Sequence, residues 1–203
     1  VYKRQGGCIP AKYLDSSVDY ETLKELNSIM GSGGMVVMDE NTCMVDIARF
    51  FLDFTCDESC GKCVPCREGT KRILEILERI VAGKGKMEDI DRLEELSELV
   101  TEASLCGLGK SAAFPVISTL KYYKDEYIDH IENKRCPAGS CKALLSYKIE
   151  DNCVGCGTCK RNCPVGCISG KAKEKHIIDQ EKCIKCGTCY NVCPIKPKAV
   201  VKG

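Results

Sequence analysis

The chain has 203 residues, 30 Lys/Arg against 29 Asp/Glu and 18 cysteines, which by length alone suggests one or two domains. Its formal charge of +1 excludes a uniformly basic nucleic-acid binder, and no stretch approaches the roughly 20 apolar residues of a membrane span. Such a cysteine density in a short secreted chain would suggest a disulfide scaffold. Here the spacing is that of metal ligands, and thiolate ligands must stay reduced, so a cytoplasmic, anoxic setting such as that of an anaerobic bacterium is expected.

The neutral total hides a gradient. Residues 1–56 carry five Lys/Arg against eight Asp/Glu, 57–104 eight against twelve, and 136–203 twelve against five. These shifts, with the motifs below, divide the chain into domains at 1–38, 39–135 and 148–203, with a linker at 136–147. The basic tail carries seven excess positive charges. Two four-thiolate clusters of about −2 each would offset roughly four of them, so compensation of clusters or docking of a partner explains the tail better than nucleic acid. The chain opens on Val1-Tyr2-Lys3-Arg4 without an initiator Met, so it reads as a piece of a longer protein. A targeting segment upstream stays open.

Residues 1–38 read as a small, incomplete domain. Met35-Val36-Val37-Met38 is a candidate buried strand after a Gly31-Ser32-Gly33-Gly34 turn. Those glycines lack a G-x-G-x-x-G or Walker pattern, so a tight turn is preferred to a phosphate cradle.

Residues 41–135 predict four helices packed as a bundle. Asn41 or Thr42 can cap the first, whose Val45, Ile47, Ala48, Phe51 and Leu52 form a helical stripe. The second starts at Pro65-Cys66-Arg67-Glu68 and stops at Gly83. The third spans 87–101 with Ile90, Leu93, Leu96, Leu99 and Val100 facing inward and a solvated acidic face outward. The fourth runs from Ala112 to Ile131, with Pro115 in its first turn, where no helical bond is lost.

Residues 148–203 contain a repeat of thirty residues, Asp151–Cys159 aligning with Glu181–Cys189. Short strands are expected near Ser146–Glu150, Ile168, His176–Asp179 and Ala199–Val201. So small a unit has little core and depends on metal to fold.

Three cysteine trios at two-residue gaps organise the chemistry: Cys60/Cys63/Cys66, Cys153/Cys156/Cys159 and Cys183/Cys186/Cys189. Zinc sites usually draw cysteines as separate pairs from two knuckles. A run of three wraps one face of an iron–sulfur cube, with the fourth ligand from elsewhere. The last two trios continue to Cys163-Pro164 and Cys193-Pro194. In such runs the fourth cysteine ligates the other cluster, giving Cys153, Cys156, Cys159 and Cys193 for one and Cys183, Cys186, Cys189 and Cys163 for the other. Residues 148–203 thus resemble a bacterial two-cluster ferredoxin. Glycines at 155, 157 and 187 let backbone N–H groups approach the sulfurs. Cys167 is spare and reads as apolar packing. The first trio takes Cys106 as its fourth ligand, because Cys106 follows the third helix back to the same bundle end. Cys66 sits at a helix start, whose dipole favours an anion.

Between bundle and repeat, His130, Cys136 and Cys141 supply three candidate zinc ligands. Cys43, at the start of the first helix, is the preferred fourth, with Cys8 and Cys56 as alternatives. His176 reads as an ordinary exposed strand residue, and Cys8 and Cys56 take packing roles by default.

The string Glu58-Ser59-Cys60-Gly61-Lys62-Cys63-Val64-Pro65-Cys66-Arg67-Glu68-Gly69, with Cys106 forty residues on, resembles the cluster-binding helical domain of the NADH- and FMN-binding subunit of respiratory complex I. Gly31–Gly34 and Met44-Val45-Asp46 match the same region. Related subunits occur in NAD-linked hydrogenases and formate dehydrogenases. Fusion to a two-cluster ferredoxin is similar to the beta subunit of an electron-bifurcating iron–iron hydrogenase or a close NAD(P)-linked relative.

The resemblance implies an α+β chain: the end of a β-grasp domain, a bundle binding one cluster, and a ferredoxin domain. It further implies three [4Fe-4S] clusters in all, with FMN and NAD(H) bound upstream of Val1. Implied partners are a hydrogenase-type catalytic subunit, a thioredoxin-like 2Fe-2S subunit and soluble ferredoxin. No Ser/His/Asp or carboxylate constellation suggests hydrolysis, so no catalytic residue is assigned, and these residues alone should not turn over substrate. Rival readings are a formate dehydrogenase or other reductase subunit, a metal-stabilised interaction module, and a free-standing electron carrier.

Overall fold

The computed structural model describes residues 2–4 (backbone), 7–13, 15–26, 28–29 and 34–202. They form two compact units, Val1–Leu144 and Leu145–Gly203. The stretch 136–147, read as a linker, is divided between them, and Leu144 packs into the core of the first.

The first unit begins with β1 (Tyr2–Arg4), β2 (Gly7–Ile9) and α1 (Tyr20–Glu25), followed by β3 (Met35–Val37). The strands form an antiparallel sheet in the order β2-β1-β3. Strand β3 lies where the sequence places one, but Met35, Val36 and Val37 are exposed on this edge strand and only Met38 is buried. The expectation of a buried strand is corrected to that extent. Gly31, Ser32 and Gly33 of the expected turn lie outside the described residues.

The helical part comprises α2 (Met44–Asp57), a π-helical turn at Pro65–Gly69 leading into α3 (Thr70–Val81), α4 (Glu88–Ala103), α5 (Gly107–Ala112) and α6 (Phe114–Ile131). Val45, Ala48, Leu52, Ile73, Leu77, Ile80, Ile90, Leu93, Val100 and Val116 are buried in one core. Each of these side chains except that of Ala48 contributes about 1.5–3 kcal/mol of transfer free energy. The cap of α2 is Cys43, whose sulfur accepts from Asp46 N–H, not Asn41 or Thr42. Asp39 accepts hydrogen bonds from both of those residues, so neither is available to the helix. Helix α3 ends as expected at Gly83: its φ of +75° favours glycine, and Gly83 N–H and Lys84 N–H donate to Ile80 and Arg79 carbonyls.

Two expectations for α4 fail. Leu99 is 54% exposed because Ile90, Leu93, Ser97 and Val100 occupy the inward face, and Leu99 falls well off that stripe at 100° per residue. Asp89, read as part of the solvated acidic face, is buried, and its carboxylate accepts from Arg79 and from Lys86 N–H. Helix α5 has no counterpart among the four expected helices; six residues with two glycines give no readable period.

The second unit pairs β4 (Tyr147–Ile149) with β7 (Val200–Lys202) and β5 (Ile168–Ser169) with β6 (Ile177–Ile178), both antiparallel. Short helices α7 (Thr158–Arg161) and α8 (Thr188–Val192) start just after left-handed Gly157 and Gly187. Its core mixes Tyr147, Ile149, Ile168, Ile178 and Val200 with buried Cys159, Cys167 and Cys189. His176 is 2% exposed, which overturns the exposed-strand reading. A Cβ on Gly170 would stand 2.8 Å from His176 Cγ, so this glycine makes room for the ring.

Candidate metal centres

The bundle trio sits at the π-helical turn. Cys66 is buried in it, Cys63 is half-buried, and Cys60 and Cys106 are exposed. Ser59 Oγ lies 3.3 Å from Cys66 Sγ, and Arg67 Nη1 donates to Gly61 carbonyl at 2.6 Å, fixing the loop. The backbone N–H groups of Leu105 and Cys66 lie near the Cys63 sulfur and lower its pKa. Leu105 directly precedes Cys106, so the segment carrying the expected fourth ligand lies against the trio. Close packing holds it there. A Cβ on Gly109 would stand 2.5 Å from Ser104 Cβ and 3.2 Å from Cys66 Cβ.

A second group joins distant parts of the same unit. The ligand atoms of Cys43, His130, Cys136 and Cys141, all buried, lie within 4.8 Å of one another. Of the three cysteines weighed as fourth member, Cys43 is the one found in this group. His130 comes from the last turn of α6. Beyond it the Asn133 and Arg135 side chains donate back to Asp129, and Gly139 N–H closes a turn on Cys136 carbonyl, bringing Cys136 and Cys141 back. His130 Nδ1 is 2.7 Å from Glu126 carbonyl, which can only accept, so Nδ1 carries a proton and Nε2 faces the thiols. Nε2 stands 3.3 Å from Cys43 Sγ and 3.4 Å from Cys141 Sγ, and those sulfurs are 3.6 Å apart. Tetrahedral zinc with Zn–S of about 2.3 Å would separate sulfurs by about 3.8 Å, so the donor set fits such an ion. Burial works against a charged His130, but contacts with the Cys136 and Cys141 sulfurs outweigh it and raise its pKa to about 10. Contacts with Cys141 and Cys43 hold the Cys136 thiol far below its usual range, while Cys43 is pushed up. Three buried thiols and an imidazole with their ligand atoms this close suit a divalent cation, whose binding would displace the thiol protons.

In the second unit one cavity is lined by Cys163, Cys183, Cys186 and Cys189, the four residues expected around one cluster, together with Cys167. Cys153, Cys163, Cys183 and Cys193 pack partly buried against the same core. Burial pushes Cys189 up to about 11 and raises Cys159. By contrast, Cys156 and Cys186 are lowered by the hydroxyls and N–H groups of Thr158 and Thr188. Those hydroxyls stand 3.5 and 3.3 Å from their sulfurs. Sequence reasoning missed these threonines, although their recurrence in both Cys-Gly-Thr-Cys strings was the signal. Cys8 and Cys56 are respectively buried and half-buried and do not belong to the four-residue group.

Comparison with known proteins finds one family match in each unit. Residues 46–130 match the NADH-ubiquinone oxidoreductase-F iron-sulfur binding region, and 152–196 match a 4Fe-4S dicluster domain. The NADP-reducing hydrogenase subunit HndC of Solidesulfovibrio fructosivorans is 56% identical over 172 residues, 84% of this chain and 35% of that protein. This match exceeds the length of the first unit and so reaches into the second. In Streptomyces coelicolor, the F subunit of NADH-quinone oxidoreductase is 40% identical over 132 residues, 65% of this chain and 29% of that protein. A crystal structure of an NAD+-reducing [NiFe]-hydrogenase in the H2-reduced state superposes with a TM-score of 0.58 at 29% identity, covering 64% of this chain and 23% of that one. The chain spans about a third of the length of these curated relatives. Among the described residues no helix is long and apolar enough to cross a membrane. The chain therefore carries the iron–sulfur region of an F-type NADH oxidoreductase subunit, continued by a 4Fe-4S dicluster domain.

Proposed function

We infer that this chain is the electron-transfer part of a NAD(P)H- and flavin-dependent oxidoreductase subunit, in a hydrogenase complex of the kind named for its 56%-identical relative. The observation that carries this reading is the union of an F-type cluster region and a dicluster domain in one chain, matched across both units by the hydrogenase protein. Cys60, Cys63, Cys66 and Cys106 hold one [4Fe-4S] cluster. Cys153, Cys156, Cys159 and Cys193 hold a second, and Cys183, Cys186, Cys189 and Cys163 a third. The clusters supply one-electron carriage, and the chain's own groups set its energetics. Leu105 and Cys66 N–H groups and the hydroxyls of Ser59, Thr158 and Thr188 lie near ligand sulfurs, which stabilises added negative charge. Cys43, His130, Cys136 and Cys141 hold a structural zinc that ties the end of α6 to the start of α2.

FMN and NAD(H) bind in a portion upstream of Val1, and residues 1–38 are the end of a β-grasp domain there. Partners are a hydrogenase-type catalytic subunit, a thioredoxin-like 2Fe-2S subunit and soluble ferredoxin, in an anoxic cytoplasm. In the full-length protein, NAD(P)H should reduce all three clusters, while residues 1–203 alone should not respond to it. Rapid reduction of the isolated residues by NADH would contradict this division of labour. Electron bifurcation is the finer form of the reading. It requires that the complete complex evolve hydrogen only when NAD(P)H and reduced ferredoxin are supplied together.

A further inference from the structure

Cys167 is the thiol of the second unit that neither four-cysteine run uses. The thirty-residue repeat sets Cys163 against Cys193 and Pro164 against Pro194, but Cys167 against Pro197. Only the first half of the repeat therefore carries a fifth cysteine. Its side chain is buried at 6% exposure, with its sulfur 3.4 Å from Cys163 Sγ. It lines the same cavity as Cys163, Cys183, Cys186 and Cys189. Its backbone is pinned, because Asp179 N–H donates to Cys167 carbonyl at 2.8 Å and the next residue, Ile168, pairs with Ile178. Packing alone needs only a small apolar side chain there. What the cavity contains is a fifth sulfur 3.4 Å from that of the fourth ligand, so the two sulfurs stand side by side at one corner of it.

We propose that Cys167 is a second ligand for the cluster corner that Cys163 otherwise holds, so that this cluster keeps four thiolates when Cys163 is displaced or lost. The inference rests on the reading of Cys163, Cys183, Cys186 and Cys189 as cluster ligands. The exchange is balanced without an oxidant. The Cys167 sulfur gives up its proton as it binds iron, the Cys163–iron bond breaks, and the departing Cys163 sulfur takes up a proton. No electron changes hands.

The test compares iron and sulfide per chain, and the electron paramagnetic resonance of the reduced clusters, in the anaerobically loaded parent, Cys163→Ala, Cys193→Ala and the Cys163→Ala/Cys167→Ala pair. Cys193→Ala, with no spare thiol opposite it, should lose one cluster, about four iron. Cys163→Ala should keep the parent's iron, and the double variant should fall to the Cys193→Ala level. A parent without ferredoxin-type clusters would sink the underlying ligand reading. A loaded parent whose Cys163→Ala variant loses as much iron as Cys193→Ala overturns the role of Cys167, as does a double variant that keeps its iron. Should Cys163→Ala not fold, Cys167→Ala in the otherwise intact chain decides the matter. It should hold full iron yet release one cluster to a chelator several-fold faster than the parent, and an unchanged rate overturns the proposal.

Discussion

Cys43 Sγ stands 3.3 Å from His130 Nε2, joining the residue that caps α2 to the last turn of α6 across 87 positions of sequence. With Cys136 and Cys141 completing the group, this contact ties the post-helical turn to the bundle. Replacing His130 by Ala should remove about one zinc per chain and cost at least about 3 kcal/mol, or about 6–12 °C in melting temperature. Metal analysis and calorimetry check it. Zinc that is absent from the parent, or unchanged in both His130→Ala and Cys136→Ala, would remove the assignment.

Gly109 is the close-approach point behind the bundle trio, where any Cβ meets Ser104 and Cys66. The Gly109→Ala variant should push the 104–106 segment away from Cys63 and lower iron at the bundle centre, leaving the dicluster iron in place. Site-resolved electron paramagnetic resonance distinguishes the two, and full occupancy of the bundle centre in this variant would contradict the placement of Cys106.

The paired threonines offer a test by symmetry. Thr158→Val and Thr188→Val each remove a hydroxyl beside a ligand sulfur, and losing a donor makes the added electron less favourable. Each should shift its own cluster to a more negative potential, on the order of tens of millivolts, with iron content unchanged. Potentials that stay put would show that these hydroxyls do not face cluster sulfur.

Asp89 provides the pH dependence. Burial opposes its charge, but Arg79 and Lys86 N–H outweigh burial and hold its pKa below the ordinary 3.8. A depressed carboxylate contributes stability that is complete above the unfolded pKa and disappears as pH falls through the folded one. Arg79 is 39% exposed, so solvent screening limits the pair to about 1 kcal/mol. Asp89→Asn should lower stability by that amount near neutral pH and progressively less as the pH falls below about 4. Denaturant titrations at several pH values measure it, and a pH-independent difference would contradict the ion pair.

The legible parts of the sequence are those with a fixed period or spacing. The cysteine runs declare themselves by repetition, and the helices α2, α3, α4 and α6 by their apolar stripes. His130, Cys136 and Cys141 are readable because they lie close in sequence, and Cys43 because a helix start is a defined place. Tertiary packing decides the rest. Asp89 and Leu99 trade the places that polarity assigns them because the inward stripe of α4 passes through Ser97 and Val100. His176 is buried by a glycine six residues earlier, which no strand pattern encodes.

The central claim is that the chain carries three four-iron clusters and one zinc. Iron, acid-labile sulfide and zinc measured on anaerobically prepared protein test it most directly. The account predicts about twelve iron, about twelve sulfide and about one zinc per chain. Zinc in place of iron at the cysteine runs, or fully loaded protein holding only about eight iron, would contradict it.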